Sequence, residues 1–258
     1  MIKEKIRQTT ENGDLAVILY TIFGYPDRRT SQKALMMLQQ FDITVFETAI
    51  PVAQCSKELS DAIRNAHWEA CRNGVWSEEV LEVYSNLRPN LYIVHEGTPL
   101  HSPEVLLEKM EGRVDAILLG WREKNVEKWH RIAQGYGIEM AQSVSPNMSR
   151  GEIKDVVRYA EGFIYLTAAP KTGGKVHAVN RILNTIQTIK EIREDIPICC
   201  GFGIKTPENV KRIGSLDGCD GVIIGTAILE ALSKGLGEFE RYVDGIVAAA
   251  RGVKRRRK

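Results

Sequence analysis

A single (β/α)8 barrel is the fold this sequence predicts, and three observations lead to it. The chain has 258 residues, close to the usual size of one such barrel. Short apolar runs rich in β-formers recur roughly every 25 to 30 residues with helical periodicity between them, the alternation that parallel strands and crossover helices produce. Near the C-terminus two of these runs end in glycine just before a helix start: Ile198-Cys199-Cys200-Gly201-Phe202-Gly203-Ile204 and Gly221-Val222-Ile223-Ile224-Gly225-Thr226-Ala227-Ile228. The last two strands of a barrel offer backbone N–H groups to a phosphate at that place. A phosphorylated small molecule is therefore the first substrate class implied.

The elements follow in order. Met1 to Ile6 is charged and amphipathic, an N-terminal helix rather than an export signal. Strands are expected at Ala16 to Ile22, Ile43 to Glu47, Asn90 to Val94, Val114 to Leu119, Ile138 to Gln142, Gly162 to Leu166, Ile196 to Cys200 and Gly221 to Ile224. Runs such as Ala116-Ile117-Leu118-Leu119 have the continuous apolar character of a strand buried on both faces. Helical periodicity marks Ser31 to Gln40, Val126 to Tyr136, Ile182 to Glu194 and Pro207 to Ile213. Thr206-Pro207-Glu208 joins a capping residue to a proline in the first turn, which starts a helix for a physical reason. After the second strand two helices are expected, Ser56 to Arg72 and Ser77 to Leu87, one more than a minimal barrel needs. An open doubly wound sheet is the structural rival; the strand count and the lack of Gly-x-Gly-x-x-Gly after the first strand favour closure. No linker divides the chain, so residues 1–252 read as one barrel domain and 253–258 as a basic, disordered tail.

Composition excludes several partners. The formal net charge is +2, and much of the excess lies in Lys254-Arg255-Arg256-Arg257-Lys258, so nucleic acid is not expected as a partner. No apolar run approaches the ~18 residues of a membrane span. Cys55, Cys71, Cys199, Cys200 and Cys219 show neither metal spacing nor a disulfide framework, and a reducing cytoplasm fits them. Cys199 and Cys200 fall in or beside a buried strand, where packing is the expected role.

Barrels gather their chemistry at the C-terminal ends of the strands. The second strand runs into Phe46-Glu47-Thr48-Ala49-Ile50-Pro51, which places a carboxylate where partial desolvation suits it to acid/base work; a solvated loop acid is the alternative. Glu58 follows eleven positions later, and Asp61 is a substitute for it. The sixth strand leads into a loop with Lys171-Thr172-Gly173-Gly174-Lys175, a composition that wraps anions. His95 and Glu96 follow the third strand as weaker candidates. Trp68, Trp76, Trp121 and Trp129 read as packing residues.

Taken together, Tyr20-Thr21-Ile22-Phe23-Gly24-Tyr25-Pro26-Asp27, Glu47-Thr48-Ala49-Ile50-Pro51, Gly201-Phe202-Gly203-Ile204 and Gly225-Thr226-Ala227-Ile228 resemble the tryptophan synthase alpha-chain family, in order and over nearly the whole chain. The resemblance implies a barrel lyase that cleaves indole-3-glycerol phosphate to indole and glyceraldehyde 3-phosphate, without metal or cofactor, beside a PLP-dependent beta chain. It makes Glu47 the general acid/base and puts Glu58 where the family has an aspartate. It places phosphate on Gly203, Gly225 and Thr226 with Gly173 or Gly174, makes Tyr165 ligand-facing, and sets Tyr20 in place of an aromatic residue at the indole end.

Departures cluster at that indole end. The family's Phe-Ser-Asp-Pro after Ile-Pro is replaced by Val52-Ala53-Gln54-Cys55, its Tyr-Ala-Asn by Val94-His95-Glu96-Gly97, and its Ser-Arg after the sixth strand by Ala168-Ala169-Pro170. The phosphate end is better kept. This asymmetry implies an altered aryl group, or action without the usual beta chain, and the changed loop after the second strand motivates a second reading: a catalytically weak phosphate-ligand-binding protein that regulates a PLP-dependent beta-type partner.

Overall fold

The computed structural model describes residues 1–95, 98, 102–119, 125–167, 179–201 and 203–254. Its strands are β1 (Ala16–Tyr20), β2 (Val45–Ala49), β3 (Asn90–Val94), β4 (Ala116–Leu119), β5 (Glu139–Val144), β6 (Ile164–Thr167), β7 (Ile198–Gly201) and β8 (Gly221–Ile224). They pair in parallel in chain order, and β1 pairs with β8 to close the barrel. The helices are α1 (Ile2–Glu11), α2 (Arg28–Leu38), α3 (Asp61–Arg72), α4 (Ser77–Ser85), α5 (Pro103–Met110), α6 (Val126–Gly135), α7 (Arg150–Val157), α8 (Val179–Ile192), α9 (Pro207–Gly214), α10 (Thr226–Ser233) and α11 (Leu236–Ala250). Both helices expected after the second strand are present as α3 and α4. Among the described residues no helix is long and apolar enough to cross a membrane.

Strand alternation divides the core in two. Ala16, Ile18, Val45, Leu91, Phe163 and Ile223 belong to one buried cluster that fills the barrel, while Val17, Leu19 and Phe46 join the larger cluster under the helices. Ile2 and Ile6 belong to the barrel cluster and are fully buried. They lie one helical turn apart on α1, so α1 closes the end of the barrel where the strands begin. Its N-cap residue Met1 supplies no side-chain cap. Glu139, the first residue of β5, does so instead: its Oε2 accepts the N–H of Ile2 at 2.9 Å and of Lys3 at 3.3 Å. A carboxylate there satisfies donors that the helix cannot satisfy itself and complements the helix dipole.

Side-chain caps fix five further helix starts. Asp27, Ser60, Ser102, Ser149 and Thr206 each accept a backbone N–H through the side chain, and Ser149 with Glu152 forms a complete capping box. At the C-terminus Val253 packs on the core and the Lys254 N–H donates to the Gly13 carbonyl at 3.0 Å. Residues 255–258 of the basic tail lie outside the described residues.

Strand ends shift in one place that matters. The apolar run suggested a second strand ending at Glu47, but β2 continues to Ala49 and all five of its residues are buried. Glu47 is thus a mid-strand residue on the inward alternation with Val45, rather than a residue of the exit loop.

Candidate active site

Tyr20 ends β1 and stands opposite Glu47 of β2 in the strand register. Glu47 is 1% exposed, and its Oε1 has no hydrogen-bond partner among the described residues. Burial alone pushes its carboxyl up to about 8, because the charged form loses its hydration without gaining a cation or a donor. At neutral pH Glu47 is therefore mostly the protonated acid, with a proton to give and a value close to the pH at which it would take it back.

Tyr20 is held by a residue that the sequence reading did not single out. Its hydroxyl lies 2.9 Å from His67 Nε2, and the Val52 N–H donates to His67 Nδ1 at 3.2 Å. That second bond fixes the tautomer: Nδ1 accepts, so the neutral ring carries its proton on Nε2 and donates it to the Tyr20 oxygen. Burial, with a smaller contribution from His95, lowers His67 to about 3, so the ring stays neutral. His95 sits edge-on to His67 with ring centroids 5.0 Å apart. Although His95 as a residue is only half-buried, its Nε2 is enclosed and without a partner among the described residues, and burial lowers the ring to about 4. His67 lies with Ile63, Ala66 and Ala70 on the buried face of α3. The signal was a histidine in an apolar i, i+3, i+4, i+7 stripe, a place more often filled by core packing than by a site residue.

On the opposite side of the mouth, Tyr165 of β6 feels the Glu47 charge, although burial is the larger cause of its raised phenol value. A Cβ at Gly201 would come within 2.5 Å of the Tyr165 ring and hydroxyl, so glycine is what lets the ring lie against β7. Gly203 has φ +74°, a left-handed turn that favours glycine. Gly225 follows β8, the strand beside β1, and is the N-cap of α10 with no side-chain cap. A Cβ there would meet Tyr20 Cβ at an ordinary 3.5 Å, so the neighbours do not demand glycine; it leaves bare N–H groups at a helix start. Thr226, 8% exposed, has its hydroxyl 2.9 Å from Ser60 Oγ, which ties the loop before α3 to the start of α10.

The second carboxylate is placed differently. Glu58 is exposed, with its N–H donating to Ser56 Oγ at 3.3 Å. Asp61 heads α3 and pairs with Arg64, its side chain 93% exposed. The structure thus brings Tyr20, Glu47 and Tyr165 to one end of the barrel, sets Gly225 and Thr226 beside Tyr20, and leaves Glu58 on the outer loop. Gly173 and Gly174, together with Glu96, fall outside the described residues. Cys199, Cys200 and Cys219 are buried free thiols. Among the described residues no group of three or more His, Cys, Asp or Glu side chains is placed to hold a metal ion.

Comparison with known proteins agrees with the barrel fold and points to a family. The family model of the tryptophan synthase alpha chain matches residues 6–257. The tryptophan synthase alpha chain of Carboxydothermus hydrogenoformans is 27% identical over 244 residues, covering 90% of this chain and 88% of its own. That of Arabidopsis thaliana is 27% identical over 266 residues, covering 96% and 94%. Among solved structures, a protein from Aquifex aeolicus superposes with a TM-score of 0.86 at 24% identity, covering 97% of this chain and 98% of that one. The tryptophan synthase alpha subunit of Campylobacter jejuni does so with a TM-score of 0.76 at 25% identity, covering 90% and 96%. Because the family model matches nearly the whole chain, the chain belongs to the tryptophan synthase alpha chain family, and the modest identities to its relatives make it a divergent member.

Proposed function

We propose that this protein is a carbon–carbon lyase that cleaves indole-3-glycerol phosphate, or a related aryl-glycerol phosphate, to the free arene and glyceraldehyde 3-phosphate. The observation that carries the reading is Glu47, a buried carboxyl with an unpartnered oxygen and a value near 8. In the proposed mechanism the phosphate rests on the N–H groups around Gly203, Gly225 and Thr226, with Gly173 or Gly174. Protonated Glu47 delivers its proton to the ring carbon that bears the glycerol chain. The resulting carboxylate then takes the proton of the adjacent hydroxyl while the carbon–carbon pair returns to the ring and the aldehyde forms. Glu47 ends as it began, protonated, so the cycle balances without another proton source. Tyr165 packs against the ligand, and Glu58 accepts from the ring N–H as positive charge develops there.

This last assignment asks Glu58 to move inward from an exposed position. That exposure favours a second reading: a weakly catalytic phosphate-ligand-binding protein that regulates a PLP-dependent beta-type chain in the cytoplasm. One assay separates the two. The purified protein is given indole-3-glycerol phosphate, alone and with a tryptophan synthase beta chain, and glyceraldehyde 3-phosphate is measured. Release that depends on this protein supports the lyase; ligand binding without release under either condition supports the regulator.

A further inference from the structure

Three polar groups near the mouth have hydrogen-bonding capacity that no described residue uses. Glu47 Oε1 and His95 Nε2 are buried without partners. Tyr20 is the third. His67 Nε2–H donates to its oxygen because the Val52 N–H occupies Nδ1. The proton of the Tyr20 hydroxyl is therefore free to be donated elsewhere, and among the described residues His67 is the hydroxyl's one recorded partner. Burial and the Glu47 charge hold that phenol well above its ordinary value, so it remains a donor at all working pH. The groups are contiguous: Tyr20 is paired in register with Glu47, bonded to His67, and His67 packs edge-on to His95. Gly225 lies against the other side of Tyr20.

We propose that the aryl end of this site is a polar subsite in which Tyr20, set by His67 and flanked by His95, donates a hydrogen bond to an acceptor atom on the ligand's arene. The inference rests on the aryl-glycerol phosphate reading and deepens it: indole-3-glycerol phosphate is still cleaved, and an arene with a ring oxygen or aza nitrogen binds more tightly than indole. A hydrocarbon arene, or one whose heteroatom is only a donor, leaves the Tyr20 proton buried and unpaired, which is costly. A phenylalanine at position 20 would present only an apolar edge. His67 acts through Tyr20 and is a positioning residue.

The test is direct binding by calorimetry with four kinds of probe: propyl phosphate, 3-(naphthyl)propyl phosphate, and its ring-aza and ring-hydroxyl counterparts. The acceptor-bearing probe whose heteroatom meets Tyr20 is expected to bind about tenfold tighter than the naphthyl probe. Tyr20→Phe removes that preference while changing naphthyl binding less than about twofold. His67→Phe removes it as well, and His67→Gln, which retains an N–H donor, restores most of it; a merely structural role would lower all probes together in both His67 variants. Equal binding of all aryl probes, or a preference that survives Tyr20→Phe, overturns the polar subsite and leaves the lyase reading standing. Failure of every probe, propyl phosphate included, overturns the phosphate site and with it both.

Discussion

Glu47 concentrates the functional argument in one side chain. Its folded value near 8 lies above the unfolded value of about 4.3, so the native state holds the proton more tightly than the unfolded chain does. The sign follows: the stabilisation is complete below pH ~4.3 and is lost as the pH rises towards 8. Replacing Glu47 by Gln keeps a neutral, similar shape, so the variant should gain stability over the parent at pH 8 by on the order of 5 kcal/mol and gain little at pH 4. Urea denaturation of both proteins at the two pH values measures this. A parallel pH response would mean that Glu47 titrates as an ordinary acid. Gly201 offers a second test at this scale: a Cβ there would come within 2.5 Å of the Tyr165 ring. Gly201→Ala should cost about 1–3 kcal/mol by overpacking, readable in the same denaturation experiment, and should weaken ligand binding because the Tyr165 ring is displaced.

Among the elements, α1 carries the clearest expectation. Ile2 and Ile6 are fully buried in the barrel cluster, and Glu139 accepts the first helix N–H groups. Each isoleucine contributes about 1.5–3 kcal/mol, so deleting residues 1–11 should lower stability by on the order of 5 kcal/mol, a large share of a typical domain's total. An unchanged urea midpoint would contradict the role of α1 as the closure of the barrel. The elements also show what a sequence can and cannot reveal. β3 and β8 were legible to the residue because both are apolar runs bounded by turn residues. The end of β2 was not, since the apolar run stops at a charge in the sequence, whereas a barrel interior accommodates a carboxyl that stays protonated. β5 likewise begins at Glu139, an acid whose partner lies 137 positions away on α1 and leaves no local trace. His67 was hidden for the same reason: its role depends on Tyr20 and Val52, which only the fold brings to it.

The whole molecule is a barrel closed at its strand-start end by its own first helix, with Glu47, Tyr20, Tyr165 and the Gly225 helix start towards the end where the strands exit. The last strand and the helix start after it were legible from the sequence because β8 is a continuous apolar run that ends at Gly225, the N-cap of α10; the phosphate placed there remains part of the proposal. The surroundings of Tyr20 were less so, because His67 and Val52 reach it through contacts between distant segments. The most direct measurement is single-turnover release of glyceraldehyde 3-phosphate from indole-3-glycerol phosphate by the parent protein and by Glu47→Gln, with binding of 3-(naphthyl)propyl phosphate measured on both. The account expects Glu47→Gln to lose about 10²-fold or more in release while binding the analogue within about threefold of the parent. Release at the parent rate by Glu47→Gln would contradict it.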